Sequence, residues 1–330
     1  MSLWYGVVLA QEHKPIPAFP RHFMSFLSLI AVFLIEQLQP LNYRRVVEDP
    51  LVAWADFIEA RFNAGEYRQG VIAWCLAVLP PVLLALAVYG LLYSLTPVLA
   101  LLFNIGVLYL TIGFRQFSHH YTEIQLALRL DDLPRARHLL AEWRRQPGDD
   151  LGAQDIARLS IETALVDAHR HVFGVLVCFV LLPGPSGAVL YRLAAVVQAR
   201  WRGKNIAEHN DFSKFSSLVF GIIDWLPLRA TAFAFAIVGD FEDAVYCWRN
   251  QAGQWPDREL GIVLASGAGA LGVRLGMPLA EGVEVSEGAE LGLGDPADVD
   301  FMQSAVGLVW RATVLWMLLL FVLELASLVG

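Results

Sequence analysis

Apolar residues in this chain gather into long blocks and do not alternate with polar ones at amphipathic spacing. A membrane span needs about 20 apolar residues, somewhat fewer where flanking side chains snorkel. On that criterion residues 24–40, 70–95, 97–114 and 306–329 are predicted membrane helices. The second and third are separated by little more than Ser94-Leu95-Thr96-Pro97, which predicts a helical hairpin with both outer ends on one side. Two further apolar regions are interrupted: residues 172–198 by Pro183-Gly184-Pro185-Ser186-Gly187, and residues 215–239 by Asp224, Pro227 and Arg229. Each half is too short to cross alone, so these broken helices read as either kinked spans or re-entrant hairpins, with re-entry favoured for the first.

Between the blocks, residues 115–171 hold eight arginines and residues 41–69 hold four, which places both on the cytosolic side by the positive-inside bias. Within the longer loop, Tyr121 to Arg145 reads as two helices about an Asp131-Asp132-Leu133-Pro134 break, with Pro134 suited to a first helical turn. Asp155 to His171 reads as a third helix running into the membrane. Residues 281–300 carry seven acids, four glycines and no base, which predicts a solvated loop. Residues 1–23 hold prolines and basic residues but no long apolar core, and read as a non-native or disordered extension ahead of Met24. The expected organisation is therefore membrane helices over 24–114, a cytosolic helical loop over 115–171 and broken membrane helices over 172–239. A cytosolic glycine-rich and acidic segment over 240–305 and a last membrane helix over 306–330 follow. The fold class is an all-α, multi-spanning helical membrane protein.

Composition agrees with lipid as the solvent: of 330 residues 56% are hydrophobic and 17% charged, against about 25% charged in soluble chains. Cys75, Cys178 and Cys247 lie far apart and form neither a disulfide framework nor a zinc spacing. The net charge is -8 and the basic residues are scattered, so nucleic acid is not an expected partner.

Gly267-Ala268-Gly269-Ala270-Leu271-Gly272 matches a dinucleotide fingerprint in letters, yet no strand precedes it, and it reads as a close-packing segment. His119 with His120, and His169 with His171, stand at the two ends of the long loop, and Asp167 with His171 has the i, i+4 spacing that shares a helix face. Glu36, Arg192, Asp224 and Arg229 lie inside apolar blocks, where ionisable residues are candidates for function or for structural pairing.

The run Ala265 to Gly276, with Pro256 before it and Leu293-Gly294-Asp295 after it, resembles the C-terminal third of the CobD/CbiB family of cobalamin-biosynthesis membrane proteins. Phe117-Ser118-His119, Ile156-Ala157-Arg158 leading to Ile161-Glu162-Thr163, Tyr191-Arg192 and Leu226-Pro227-Leu228-Arg229 follow that family's order. The resemblance covers about residues 25–320. It implies an inner-membrane enzyme that forms an amide bond between adenosylcobyric acid and aminopropanol or its phosphate, using ATP. Carried over by position, it implies catalytic roles for Glu162, Arg192, Arg229 and Arg274, and substrate contacts for Ser118, His119, Tyr191 and Asp295. The arginines would meet phosphate or carboxylate groups, and Glu162 or Asp295 would hold magnesium.

Three departures weigh against that reaction. The family's Glu-Ser-Val-Ala-Glu-Asn stands here as Glu162 to Asp167, losing the second acid and the amide. An Asn-Thr-Leu-Asp-Ser-Met stretch is replaced by Ala195 to Arg200, and an Asp-Asp pair by Phe220 and Gly221. Ile223 to Arg229 and the early segment with Glu36 are also similar to AmpE-like proteins, which implies as the alternative a non-catalytic membrane regulator linked to β-lactamase induction, acting on a regulatory membrane partner.

Overall fold

The computed structural model describes residues 21–38, 44–146, 150–208, 210–276 and 289–329, and within them the chain is almost wholly helical. Residues 1–20 of the expected extension, and 277–288 of the acidic segment, lie outside the described residues. The first membrane helix, α1 (Arg21–Leu38), already includes the last three positions of that extension. A short π-helical turn (Arg44–Glu48) leads into α2 (Asp49–Phe62), and α3 (Tyr67–Leu95) and α4 (Pro97–Thr111) form the expected hairpin.

The loop that follows folds as α5 (Phe114–Arg129), α6 (Leu133–Arg144) and α7 (Ala153–Ala168). The break between α5 and α6 falls at Asp131, whose φ is 58°, and Asp132 caps α6 by accepting the Arg135 amide. At the end of α7 the backbone widens into a second π turn, His169–Phe173, and continues without interruption as α8 (Gly174–Leu181). The chain then reverses at Pro183-Gly184-Pro185 and returns as α9 (Ser186–Glu208), packed against α8. With α7 and the π turn, α8 makes the continuous 29-residue stretch Ala153–Leu181, which at about 1.5 Å rise per residue is long enough for a bilayer core of about 30 Å. The hairpin is close: a Cβ at Gly187 would strike the Cys178 carbonyl, and one at Gly184 would enter the Tyr89 ring of α3.

Residues 215–239, read as a kinked span or a re-entrant hairpin, form one continuous helix, α10 (Lys214–Val238), with Pro227 inside it, so the hairpin reading fails. Proline removes one backbone donor, the one that would meet the Ile223 carbonyl, while Pro227 and Leu228 stay buried against neighbouring helices. α11 (Phe241–Asn250) and α12 (Arg258–Leu271) follow, and α13 (Val299–Val329) ends the chain, starting before the predicted residue 306. Among the described residues, four helical stretches are long and apolar enough to cross a membrane: Tyr67–Leu95, Ala153–Leu181, Lys214–Val238 and Val299–Ala326. The protein is an all-α membrane protein.

The glycine-rich run lies on α12 as packing, with Gly267 facing Leu165 of α7 and Gly269 facing the α11 backbone at Asp243 and Ala244. Gly272 closes the helix in the left-handed conformation at φ 65°. Beyond it, β1 (Val273–Arg274) pairs in parallel with β2 (Asp295–Pro296). Two large apolar clusters result. One joins α5, α6, α7, the second half of α10, α11, α12 and the first half of α13. The other joins α1 to α4, α8, α9 and the first half of α10.

Candidate functional site

The two clusters meet at the π turn His169–Phe173, and the chain's densest set of buried charges sits there. On α7 and its continuation, Thr163, Asp167 and His171 recur at helical spacing, so one stripe of polar side chains faces the C-terminal end of α6. That end supplies Trp143, Arg144, Arg145 and Gln146, and with Glu48 they enclose a polar cavity of about 320 Å³. Trp143 donates its indole N–H to Asp167 at 3.1 Å. Burial pushes the Arg144 guanidinium below its usual range, Glu162 opposing that trend and Arg158 adding to it.

An adjoining cavity of about 310 Å³ shares Glu48, Arg145 and His171 and is otherwise walled by Val52, Arg170, Arg192, Ala195, Val196, Ala199 and Arg200. The Glu48–Arg145 ion pair, at 2.8 Å, thus stands where the two cavities join. Arg145 holds a left-handed backbone, φ 57° and ψ 35°, a conformation uncommon outside glycine. Together the cavities form one groove faced by five arginines and two carboxylates, Glu48 and Asp167. The Arg170 Nε is buried and has no hydrogen-bond partner among the described residues. Arg192 is 5% exposed. Such a surplus of guanidinium donors, partly dehydrated, is suited to phosphate or carboxylate groups.

Behind the groove lies a polar network closed to solvent. The His169 Nε2 is 3.1 Å from Asp224 Oδ1, its Nδ1 is 2.9 Å from the Thr231 hydroxyl, and the Tyr191 hydroxyl donates to Asp224 at 2.8 Å. Each of these side chains is at most 3% exposed.

Of the residues carried over from the family resemblance, Arg192 lines the groove, while Tyr191 turns away from it into this network. Glu162 accepts the Gly276 amide at 2.8 Å, so it holds the tail after α12. Arg274 and Asp295 belong to the same tail: Arg274 lies 3.4 Å from Glu290, and Asp295 is exposed, its amide bonded to the Gly272 carbonyl. His119 is largely exposed and pairs with Glu123 on α5 at 3.7 Å. Ser118 borders a separate, mostly apolar cavity of about 170 Å³ between α5, α7 and α13. Arg229 does not reach the groove; its guanidinium stacks 4.2 Å from the centre of the Trp225 ring on the exposed apolar flank of α10. Among the described residues no three His, Cys, Asp or Glu side chains converge as a metal cage.

Sequence reasoning missed Glu48, Arg144, Arg145 and Arg170 as site residues. Arg145 and Glu48 are 97 positions apart, and no local spacing signals their contact. The Asp167–His171 spacing was the one usable sign, since both side chains do face the same cavity.

The sequence model of the CobD/Cbib protein family matches residues 49–309, a stretch that contains every groove residue except Glu48. The protein named "Cobalamin biosynthesis protein CobD" in Stutzerimonas stutzeri is 35% identical over 302 residues, covering 89% of this chain and 96% of that protein. Its namesake in Chromobacterium violaceum is 34% identical over 220 residues, 67% of this chain and 70% of that protein. The one in Leptospira interrogans is 25% identical over 243 residues, 71% of this chain and 74% of that protein. No solved structure matches. On the extent of these matches, the chain belongs to the CobD/CbiB family.

Proposed function

We propose that this chain acts in cobalamin biosynthesis as the adenosylcobinamide-phosphate synthase, joining a carboxylate of adenosylcobyric acid to aminopropanol or its phosphate with ATP, in a bacterial inner membrane. The observation that carries the reading is the arginine-walled groove where the two apolar clusters meet. ATP, adenosylcobyric acid and an aminopropanol phosphate all bear phosphate or carboxylate groups, and the groove is lined by five guanidiniums suited to them, of which Arg145 is paired with Glu48 and Arg200 with Asp56.

The donors fit ATP and magnesium. The buried Arg170 Nε is a donor that a phosphate oxygen would satisfy. Magnesium is commonly held by one or two carboxylates plus phosphate oxygens rather than by an all-protein cage, and Glu48 and Asp167 are the carboxylates at hand. When bound, ATP supplies the activation of the carboxylate. The chain's own part is to hold the anions together, offset their charge and keep them oriented.

The test is rescue of corrinoid-dependent growth in a host lacking its own synthase. The unmutated chain is expected to restore growth, and Arg192→Ala to abolish it with membrane insertion intact. No rescue by the unmutated chain, with its presence in the membrane verified, overturns the synthase reading and leaves the regulator as the alternative.

A further inference from the structure

Two arginines of the groove are each preceded in sequence by a residue that does not line it. Arg170 stands next to His169 on the π turn, and Arg192 stands next to Tyr191 on α9. His169 and Tyr191 both converge on the single carboxylate of Asp224, on α10. We propose that His169, Tyr191 and Asp224 are positioning residues that fix the π turn and α9 relative to each other, and so set the spacing of Arg170 and Arg192 toward a bound phosphate. This inference rests on the reading of the groove as the phosphate-binding site.

The hydrogen bonds of the unit are closed on themselves. The His169 ring is held from both edges, its Nδ1 2.9 Å from the Thr231 hydroxyl and its Nε2 3.1 Å from the Asp224 carboxylate, and Thr231 is tied in turn to the Pro227 carbonyl. Asp224 accepts from His169 and Tyr191 together, and it leaves neither ring free to rotate.

The backbone is shaped to the same end. The Gly174 amide reaches back five residues to the His169 carbonyl, the widened turn of a π helix, which recurs at functional sites. Gly174 also has no side chain where the Tyr191 ring lies: a Cβ there would collide with that ring and its hydroxyl. Phe220, where the family has an acid, packs at 5.7 Å from the Tyr191 ring on the opposite side. A network this enclosed, with each of its polar groups bonded, holds its members in place, and supports of this kind typically alter ligand affinity when cut.

The test uses the full chain purified in detergent and measures the affinity for magnesium-ATP, and for inorganic pyrophosphate, beside thermal melting. Tyr191→Phe and Asp224→Asn are each expected to weaken binding about tenfold. Combined with Arg192→Ala, Tyr191→Phe is expected to add far less than it does alone, because the guanidinium it positions is gone. Gly174→Ala, which keeps every hydrogen-bonding group and displaces only the Tyr191 ring, is expected to weaken binding likewise. If these variants melt at lower temperature yet bind both probes as the parent does, the network is only structural and the positioning role is overturned, while the groove reading stands. If Arg192→Ala itself binds both probes as well as the parent, the groove is not the phosphate site and the proposal falls with it.

Discussion

Two acids one and a half helical turns apart, Glu162 and Asp167, divide the work differently from the family pattern. By position Glu162 corresponds to an acid with a catalytic role, but its carboxylate is engaged by the Gly276 amide and flanked by Arg144 and Arg158. The acid that the pattern places at position 166 is Val166 here, while the next residue, where the pattern has an amide, is Asp167 and faces the groove. The carboxylate lost from one position is thus offered from the next. Glu162→Gln keeps an oxygen that accepts the Gly276 amide and is expected to retain most of the growth rescue, whereas Glu162→Ala loses that bond at a cost of about 1–2 kcal/mol of stability. Asp167→Asn is expected to abolish rescue, since losing a charge beside magnesium costs several kcal/mol in the reaction. Rescue by Asp167→Asn together with failure of Glu162→Gln, at equal membrane levels, would reverse this assignment. None of this was legible from the letters, because the group that decides each role, the Gly276 amide for Glu162 and the Trp143 indole for Asp167, comes from 114 and 24 positions away.

Among elements, the Pro183 to Gly187 cluster and Pro227 carry the same apparent signal and have opposite outcomes. The first breaks the chain because two prolines and a glycine with φ 62° stand together, and no continuous helix accommodates them. The second is absorbed, since a single proline removes one amide and an enclosed apolar helix has no better partner for its remaining groups than itself. The helical pair α5–α6 was legible in outline because a capping aspartate and a first-turn proline are local features. The π turn was not, because the partners of its His169, which are Asp224 and Thr231, come from 55 and 62 positions away. The hairpin α8–α9 gives a sharp prediction. Gly187→Ala places a methyl against the Cys178 carbonyl, so the helices must separate, at an expected cost of about 1–3 kcal/mol. Thermal melting in detergent measures it, and a melting temperature equal to the parent's would show that the two helices are not so closely joined.

For the whole molecule, the apolar blocks announced the membrane, because long exposed leucine-rich faces are visible in any window of the sequence. What they could not announce is that segments far apart in the chain share one core. The α5, α6 and α7 helices pack with α11, α12 and the tail residues Leu275 and Leu291 in a single cluster. By the positive-inside bias, the arginines around α5 to α7 predict the cytosolic side for the polar faces of this core. The α3–α4 turn lies at the other end of its hairpin from the start of α3 and the end of α4. Three exposed positions therefore test the arrangement: Arg129 at the end of α5, Gly253 after α11, and Ser94 in the α3–α4 turn. Single cysteines at Arg129 and Gly253 are expected to react with a membrane-impermeant maleimide only in inverted vesicles, and one at Ser94 only in intact cells or spheroplasts. Gly253 tolerates the change, since a Cβ there meets nothing within 4 Å. Labelling of Arg129→Cys and Gly253→Cys from opposite sides would separate two segments that one core joins, and the groove built where that core meets the membrane helices would then need another explanation.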